Sequence, residues 1–354
     1  MGLALPKQPA FIVKENLKEL AELARSTGIS VVGQNLQTRQ APDGRTLIGS
    51  GKVKEVARAA DELGADIVIF DDNLTPNQVK NLENLMSCAV IDRSTLILEL
   101  FVRRARTREA RTQVELAQLM YQLPRLARRW THLSRQVGGI GVRGGEGETQ
   151  LEVDRRMLRT RIKHLQQELA KIKKRRDLHR RSRRGAPIIA LAGYTNAGKS
   201  TLFNCFTRAG VTAENKLFAT LDSRLRKGSL EGGTTAVFVD TVGFIRKLPH
   251  HLVDSFRSTL EEITHADLVL HVVDRSHPQW YEQMEVGKTV LTDLGVDLDH
   301  VLTVFNKTDR CSDAETSAIA NGIAVSAGTG DGVDTLKGHL LDRIAGHSHR
   351  CPDL

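Results

Sequence analysis

One segment constrains the fold of this chain more than any other. It follows the apolar run 187–192, precedes a helical pattern that begins at Thr201, and reads Gly193-Tyr194-Thr195-Asn196-Ala197-Gly198-Lys199-Ser200. This is the pattern G-x-x-x-x-G-K-[ST] between a buried strand and a helix, which is the context that a phosphate-binding loop needs. Glycines let backbone N–H groups point into one concavity, and the helix start adds partial positive charge. We therefore predict that residues 193–201 bind phosphate groups.

A second segment places an acidic residue at the end of a strand. Val237-Phe238-Val239 leads into Asp240-Thr241-Val242-Gly243, which has the pattern D-x-x-G. An aspartate at a strand tip beside a phosphate loop can hold Mg²⁺, and a glycine lets the backbone approach the terminal phosphate. Alone, such a segment is more often a plain strand-to-turn junction. The predicted Mg²⁺ ligands are Ser200, Thr220 and Asp240, and the predicted catalytic residues are Lys199, Thr220 and Gly243.

Thr220 is the weakest of these assignments. It lies in the loop 216–222, where its hydroxyl is the best placed to reach Mg²⁺ and the terminal phosphate. Thr212 is a poorer candidate because it follows the phosphate loop too closely. The alternative is that Thr220 is an ordinary loop threonine.

A third segment is predicted to select the base of a bound nucleotide. It is Asn306-Lys307-Thr308-Asp309, which follows the apolar strand pattern 301–305. A carboxylate at Asp309 can accept hydrogen bonds from guanine N1–H and from its exocyclic amine. Adenine offers neither donor, so the desolvated carboxylate would be left unpaired at a cost of several kcal/mol. Ser326-Ala327 has the position of a final base contact through a backbone N–H. The predicted guanine-binding residues are Asn306, Lys307, Asp309, Ser326 and Ala327.

Phe244 directly follows the D-x-x-G segment, where some GTPases carry a glutamine that orients the attacking water. A phenyl ring can neither accept a proton nor hold water. We therefore predict GTP hydrolysis that is slow in the isolated protein and completed by a partner. The alternative is that Phe244 is a hydrophobic residue of the switch loop and that another group positions the water.

Positive charge is concentrated in one quarter of the chain. Residues 103–184 contain 24 Lys and Arg against 8 Asp and Glu, whereas the rest contains 27 against 34. A block this basic is typical of a nucleic-acid-binding surface. The sequence contains no apolar run of about 18 or more residues, so no membrane span is predicted. The N-terminus lacks a signal-peptide pattern, and four scattered cysteines fit reduced thiols. These features predict a cytoplasmic protein. They carry no information on the oligomeric state, for which a monomer is the favoured assumption.

The chain has an α/β pattern with a basic helical insertion. Strand patterns at 11–13, 31–32, 67–70 and 89–91 alternate with helical ones near 15–27, 51–63 and 75–87, the last beginning at the N-cap pair Thr75-Pro76. Two long helical patterns then flank a glycine-rich loop, which predicts an antiparallel hairpin. The predicted fold is a small N-terminal α/β domain and a helical hairpin, followed by a Ras-like P-loop GTPase domain. The predicted boundaries are 1–104, 105–184 and 185–346, with a tail at 347–354.

The hairpin loop, residues 138–148, contains six glycines beside an arginine and two glutamates. Such a loop is either a linker or a segment whose backbone approaches a large ligand. The candidate contacts with a nucleic-acid partner are Arg143, Gly144, Gly147, Arg155 and Arg156. A second glycine-lysine segment at 49–53 lacks the phosphate-loop spacing, and we interpret it as a turn and helix start.

With these residues the chain resembles the HflX family of translation-associated GTPases. The resemblance runs from about residue 10 to 345 and rests on the nucleotide-site segments above together with Asp92-Arg93, 104–107, 113–119 and 150–156. It implies GTP and GDP as nucleotides and binding to the large ribosomal subunit, with the hairpin loop reaching the catalytic centre. It also implies that the protein splits or rescues stalled ribosomes, in a response to stress. Departures from the family pattern include a glycine loop one residue longer and Ser223-Arg224 in place of Pro-Thr.

Two other functions fit the same sequence. The first is an RNA-remodelling factor in which the N-terminal domain uses ATP, although no second complete phosphate loop is present. The second is a GTP-gated scaffold that binds proteins without RNA.

Overall fold

The computed structural model describes residues 1–6, 9–129, 146–181, 186–207, 217–218, 221, 223–247, 260–312, 316 and 322–348. Contacts divide the chain into two compact units. The first comprises Met1–Arg103 with Arg111–Ala170, and the second comprises Arg104–Ala110 with Lys171–Leu354. Both units combine helices with parallel strands, so the predicted α/β fold class is confirmed. The domain boundaries given above stay a prediction.

The first unit begins with short parallel strands alternating with helices. Strand pairs β1–β2 and β3–β4 are both parallel. Met1 joins the two pairs into one row, β2-β1-β3-β4. Its amino group donates to the Ile69 carbonyl, and its carbonyl accepts from the Asp71 amide. The elements are β1 (Gly2–Ala4), α1 (Ala10–Ser26), β2 (Leu36–Thr38), α2 (Ser50–Leu63), β3 (Ile67–Phe70), α3 (Pro76–Glu83), β4 (Ala89–Asp92) and α4 (Arg93–Arg104).

The predicted start of α3 is confirmed in detail. Thr75 is the N-cap, its hydroxyl accepts from the Gln78 amide, and the Gln78 side chain accepts from the Thr75 amide. This reciprocal capping box satisfies two amides that have no partner within the helix, and Pro76 occupies the first turn, where no N–H is needed. The segment at 49–53 is a helix start as predicted, with Gly49 as the N-cap of α2.

Two predicted strands are wrong. Residues 11–13 lie inside α1, where Val13 is buried and Phe11 is exposed. Three consecutive apolar residues are too few to distinguish a helix from a strand. Here Val13 begins a buried stripe with Leu17, Leu20 and Ala24 at helical spacing. Val31-Val32 forms no strand, and the chain joins the sheet only at Leu36.

Two long helices follow, α5 (Arg108–Arg129) and α6 (Glu146–Arg181). Pro124 lies inside α5, and α6 begins within the predicted glycine-rich loop 138–148. An ion pair between Glu115 of α5 and Arg161 of α6, at 2.7 Å, joins residues that are about equally far from the connection between the helices. Helices that turn back on each other place such pairs side by side, as a hairpin requires.

Asp92, at the end of β4, is a buried carboxylate that α5 closes off. Its oxygens accept from the Leu74 amide at 3.2 Å, the Thr95 amide at 2.9 Å and the Tyr121 hydroxyl at 2.7 Å. Arg125 lies 3.4 Å from Asp92 and stacks over the Tyr121 ring. Burial beside Asp92 raises the pKa of Tyr121, so its hydroxyl remains a donor. Tyr121 and Arg125 of α5 therefore help to satisfy the Asp92 carboxylate at the end of β4.

Arg93, the next residue, is almost completely buried. Its guanidinium donates to Asp71 at 2.8 Å and to Glu19 of α1. Because a buried charge is costly unless it is paired, these two carboxylates are required for Arg93 to occupy this position.

The second unit contains a six-stranded sheet in the order β10-β9-β8-β5-β7-β6, in which only β6 is antiparallel. Ile188–Gly193 is apolar and mostly buried, as expected of a central parallel strand. The elements are β5 (Ile188–Gly193), α7 (Lys199–Thr207), β6 (Arg224–Ser229), β7 (Thr235–Asp240), β8 (Leu268–Asp274), α8 (Trp280–Asp293), β9 (Val301–Asn306), β10 (Ile323–Ala324) and α9 (Val333–Ser348).

The order of the strands determines where a site can form. The chain passes from β5 to β6 and β7 on one side of β5. It then crosses from β7 to β8 on the other side, so the direction of the connections reverses at β5. Ligands of open α/β sheets bind in the crevice at the carboxyl ends of the strands at such a point. None of the helices in the described part of the chain combines the length and apolar character that a membrane span requires.

Candidate functional site

The predicted phosphate loop connects β5 to α7. Gly193 has φ +144°, and a Cβ there would lie 2.2 Å from the Val272 carbonyl oxygen. Gly198 has φ +93°, and a Cβ there would lie 2.1 Å from the Asn306 amide nitrogen. Both positions therefore exclude a side chain, by backbone conformation and by space. Between them, Asn196 also has a positive φ, of 61°.

The remaining loop residues are held by neighbouring elements. The Tyr194 hydroxyl accepts from the Arg246 amide, the Thr195 amide donates to Phe244, and the Ala197 carbonyl accepts from Asn306. The Thr195 hydroxyl is buried without a hydrogen-bond partner among the described residues. A polar atom of this kind is expected where a polar ligand binds.

Lys199, the first residue of α7, is buried. Its ammonium group donates to the Tyr194 carbonyl at 2.8 Å. Burial lowers the pKa of Lys199 to about 8, while the Asp240 carboxylate raises it and Lys307 lowers it. An anion bound in the loop would favour the charged form of the amine. The loop thus contains a buried cation whose charge a phosphate would stabilise.

Ser200 and Asp240 meet beside the loop. The serine hydroxyl donates to an Asp240 carboxylate oxygen at 2.7 Å. Asp240 ends β7 and pairs in register with Leu191 of β5, which brings it next to the strand that leads into the loop. A hydroxyl and a carboxylate are oxygen ligands of the kind that Mg²⁺ takes, so the residues present fit this ion. Thr220, the third predicted ligand, lies outside the described residues.

The D-x-x-G segment packs against the phosphate loop. A Cβ at Gly243 would lie 2.8 Å from the Thr195 Cα and 3.0 Å from the Lys199 ammonium. Phe244 donates its amide to the Gly193 carbonyl at 2.9 Å and accepts from the Thr195 amide at 2.7 Å. Its side chain is buried. Phe244 thus has a packing role of its own, and the slow hydrolysis inferred from it stays a prediction.

Asn306 connects the phosphate loop to the opposite end of the site. Its amide nitrogen donates to the Ala197 carbonyl at 2.8 Å, and its amide oxygen accepts from the Ala327 amide at 2.9 Å. One side chain therefore sets the distance between the phosphate loop and residues 326–327.

Asp309 lies next to Ser326, whose hydroxyl donates to its carboxylate at 2.7 Å. Lys307 has a left-handed backbone with φ 63°, and its ammonium group donates to Asp274 at 2.7 Å. The structure brings together all five residues predicted to bind guanine, at the ends of β9 and β10. Their contacts with a base stay a prediction.

The RNA-contact candidates are described only in part. Arg143 and Gly144 lie outside the described residues. Gly147 is in the first turn of α6 rather than in a loop, and the same helix carries the half-buried Arg155 and the exposed Arg156.

Sequence reasoning missed two residues of β8 near the site. Asp274 ends an apolar strand just as Asp240 does, and this shared pattern could have identified it. His271 is buried, and neither ring nitrogen has a hydrogen-bond partner in the described part of the chain. Its ring occupies the space over Gly287 of α8, where a Cβ would lie 2.3 Å from Nε2. No signal in the sequence distinguished it from the other histidines.

The first unit has a cavity of about 680 Å³ between α1, α2 and the segment 28–35. Most of its lining is aliphatic, and no Lys or Arg is among the described residues that line it. Lys52, in the segment that resembles a phosphate loop, pairs instead with Glu55 of its own helix. Neither feature provides the positive charge that a triphosphate requires.

Family models match three consecutive parts of the chain. Residues 14–102 match the N-terminal part of a GTP-binding GTPase, 104–183 match the middle region of a GTP-binding GTPase, and 188–307 match a domain described as a 50S ribosome-binding GTPase. The third match contains the phosphate loop, Asp240 and Asn306.

Individual proteins match over nearly the whole chain. GTPase HflX of Magnetococcus marinus is 48% identical over 341 residues, which cover 95% of this chain and 79% of that protein. GTPase HflX of Escherichia coli K12 is 45% identical over 350 residues, which cover 96% and 82%. A crystal structure described as a complex of SsGBP with GDP covers 98% of both chains at 23% identity, with a TM-score of 0.50. This structural likeness supports the fold alone.

The resemblance noted from the sequence is therefore confirmed, and so is its enzyme class. At this identity over nearly its full length, the chain belongs to the GTPase HflX family and is a GTP-hydrolysing enzyme.

Proposed function

We propose that this GTPase binds the large ribosomal subunit in its GTP form and splits or rescues stalled ribosomes, acting as a cytoplasmic monomer. The observation that carries the proposal is the combination, in one chain, of a domain that matches a 50S ribosome-binding GTPase with a strongly basic helix. α6 contains 12 Lys and Arg against 6 Asp and Glu. Such a helix is suited to contact the phosphates of ribosomal RNA.

The nucleotide site would read guanine through Asp309. Its carboxylate is already oriented by the Ser326 hydroxyl and needs two donors from the base. Asn306 and Ala327 would keep this end of the site at a fixed distance from the phosphate loop. An Asp309→Asn variant exchanges an acceptor for a donor and should move the preference from guanine to xanthine nucleotides.

At the other end, the backbone of 193–198 and the Lys199 ammonium would bind the phosphates. Ser200 and Asp240, with Thr220 from the switch loop, would hold Mg²⁺, which neutralises charge on the phosphate oxygens when bound. Gly243 brings the backbone of the D-x-x-G segment against the phosphate loop. Hydrolysis then depends on positioning and electrostatics rather than on a covalent intermediate.

Phe244 supplies no group that can orient water. We infer that the isolated protein hydrolyses GTP slowly and that the ribosome completes the site. The decisive experiment compares steady-state GTP turnover with and without purified large ribosomal subunits. A strong rise with large subunits, and little change with small subunits, is expected. Equal rates under all three conditions would rule out stimulation by the ribosome.

The RNA contact can be tested on α6 itself. Reversing two charges, with Arg155→Glu and Arg156→Glu, should weaken cosedimentation with large subunits in the presence of a non-hydrolysable GTP analogue. Lys54→Glu with Arg58→Glu, two exposed positions on α2, is the matched control. Binding should also fall steeply with salt, by about 10³–10⁵ between 50 and 200 mM if about 6–10 phosphates are contacted. Binding that resists both changes would place the contact elsewhere.

The alternative is an RNA-remodelling factor whose N-terminal domain uses ATP. The aliphatic cavity of the first unit and the Lys52–Glu55 pair weigh against it. ATP hydrolysis that persists in a Lys199→Ala protein and stops after changes in the first unit would favour this alternative.

A further inference from the structure

The Lys307–Asp274 pair joins a residue of the predicted base-binding segment to one outside it. Lys307 follows β9, and Asp274 is the last residue of the neighbouring β8. The two side chains meet at 2.7 Å and are 17% and 12% exposed. The pair is therefore largely shielded from solvent, where an ionic hydrogen bond is stronger than at an open surface.

Asp274 is itself held in place. One carboxylate oxygen accepts from the Ser276 amide at 3.1 Å and from the Ser276 hydroxyl at 2.6 Å, while the other accepts from Lys307. The backbone is fixed as well, because Asp274 pairs in register with Asn306 and the Arg275 amide donates to the Asn306 carbonyl at 3.0 Å. The carboxylate thus has a defined orientation before any nucleotide binds.

We propose that Asp274 is a positioning residue that holds the Lys307 side chain in place at the guanine site. This inference rests on the base site proposed above. A lysine side chain loses more rotamer freedom on ordering than most others. If the ion pair has already ordered Lys307, nucleotide binding does not bear that cost, and affinity is higher. Asp274 also provides a local counter-charge in a site where Lys199 and Lys307 both carry positive charge.

The test is a double-mutant cycle on nucleotide affinity, measured with fluorescent GDP and with a non-hydrolysable GTP analogue. Asp274→Asn keeps the shape and removes the charge, and it should weaken both nucleotides about tenfold, as expected for the loss of a charged hydrogen bond. Lys307→Ala should weaken binding at least as much. If Asp274 acts through Lys307, the double variant will be no weaker than Lys307→Ala alone. Additive losses, or unchanged affinity in Asp274→Asn, would overturn the proposal.

Controls separate this inference from its premise. Asp274→Glu should recover part of the affinity, because the carboxylate is retained. Asp334→Asn removes an Asp–Lys pair of similar separation whose aspartate is exposed, to Lys337 at 2.8 Å, and should leave affinity unchanged. Asp309→Asn tests the base site itself. If that variant does not move selectivity to xanthine nucleotides, the proposed base site fails. If Asp309→Asn does move selectivity but the losses in the Asp274–Lys307 cycle are additive, the base site stands and only the role of Asp274 fails.

Discussion

Each unit of this protein buries charged side chains at the carboxyl ends of parallel strands, but the two groups are satisfied very differently. In the first unit, Asp92 accepts hydrogen bonds from Leu74, Thr95 and Tyr121, and Arg93 pairs with two carboxylates. In the second unit, the buried Lys199 donates to the Tyr194 carbonyl, its one hydrogen-bond partner in the described part of the chain. The Thr195 hydroxyl beside it has no partner among the described residues.

The comparison shows that position in an α/β fold does not by itself make a binding site. The carboxyl ends of strands are where such folds bind ligands, yet the first unit fills this position with its own helices α1 and α5. A charge that the chain has already satisfied stabilises structure. A buried cation with a single hydrogen bond to the described residues is able to stabilise an incoming anion. Four predictions test this difference.

The largest expected effect is on the stability of the first unit. Arg93→Met removes the buried guanidinium that Asp71 and Glu19 both bind, and it should lower the free energy of local unfolding by about 3–5 kcal/mol. Hydrogen exchange of amides in β3 and β4 measures this change. Arg103→Met, which breaks an exposed pair with Glu99, should cost less than about 1 kcal/mol. A loss of GTP affinity in folded Arg93→Met protein would contradict a purely structural role.

Lys199→Ala removes the buried cation of the second unit. GTP hydrolysis should fall about 10²–10³-fold, because a preorganised charge is lost from the phosphate site. Single-turnover phosphate release measures the rate. Lys52→Ala, in the segment that only resembles a phosphate loop, is the matched control and should leave the rate unchanged. If both variants hydrolyse GTP at the wild-type rate, the phosphates bind elsewhere.

His271 gives a third prediction, on pH. Burial lowers its pKa from 6.5 to about 4, helped by Lys288 and Lys199 and opposed by Glu285. The unfolded chain therefore takes up a proton below pH 6.5 that the folded protein excludes until about pH 4. The stability of the second unit should decline over that range, by up to about 3 kcal/mol. His271→Leu should reduce this decline in thermal melts between pH 7 and pH 4, and an identical pH profile would refute the assignment.

The smallest expected effect is on the hydrogen bond between Tyr121 of α5 and Asp92 of β4. Tyr121→Phe removes the hydroxyl that donates to Asp92, whereas the ring under Arg125 remains. The variant should destabilise the first unit by about 1–2 kcal/mol. Hydrogen exchange at the end of β4 measures it, and GTP turnover should not change. No change in exchange would mean that Leu74, Thr95 and Arg125 satisfy the carboxylate without Tyr121.

The segments of the proposed nucleotide site could be identified from the sequence because each is short and local. The segments at 193–200, 240–243 and 306–309 each require a specific backbone and side-chain set, and the sheet brings their ends together. The Asp92–Tyr121 and Asp274–Lys307 contacts were not predictable. Their partners are 29 and 33 residues apart, and only the packing of complete elements brings them into contact. The strand predicted at 11–13 was wrong because three consecutive apolar residues show neither the period of a strand nor that of a helix.

The backbone bridge between Tyr194 and Phe244 has a consequence for how this enzyme could switch. Its two hydrogen bonds attach the beginning of the segment after Gly243 to the very loop that would hold the phosphates. Any rearrangement that follows departure of the γ-phosphate must either break this attachment or start downstream of it. If the bridge stays intact, it acts as a pivot, and the conformational signal to a partner originates from the chain beyond Phe244.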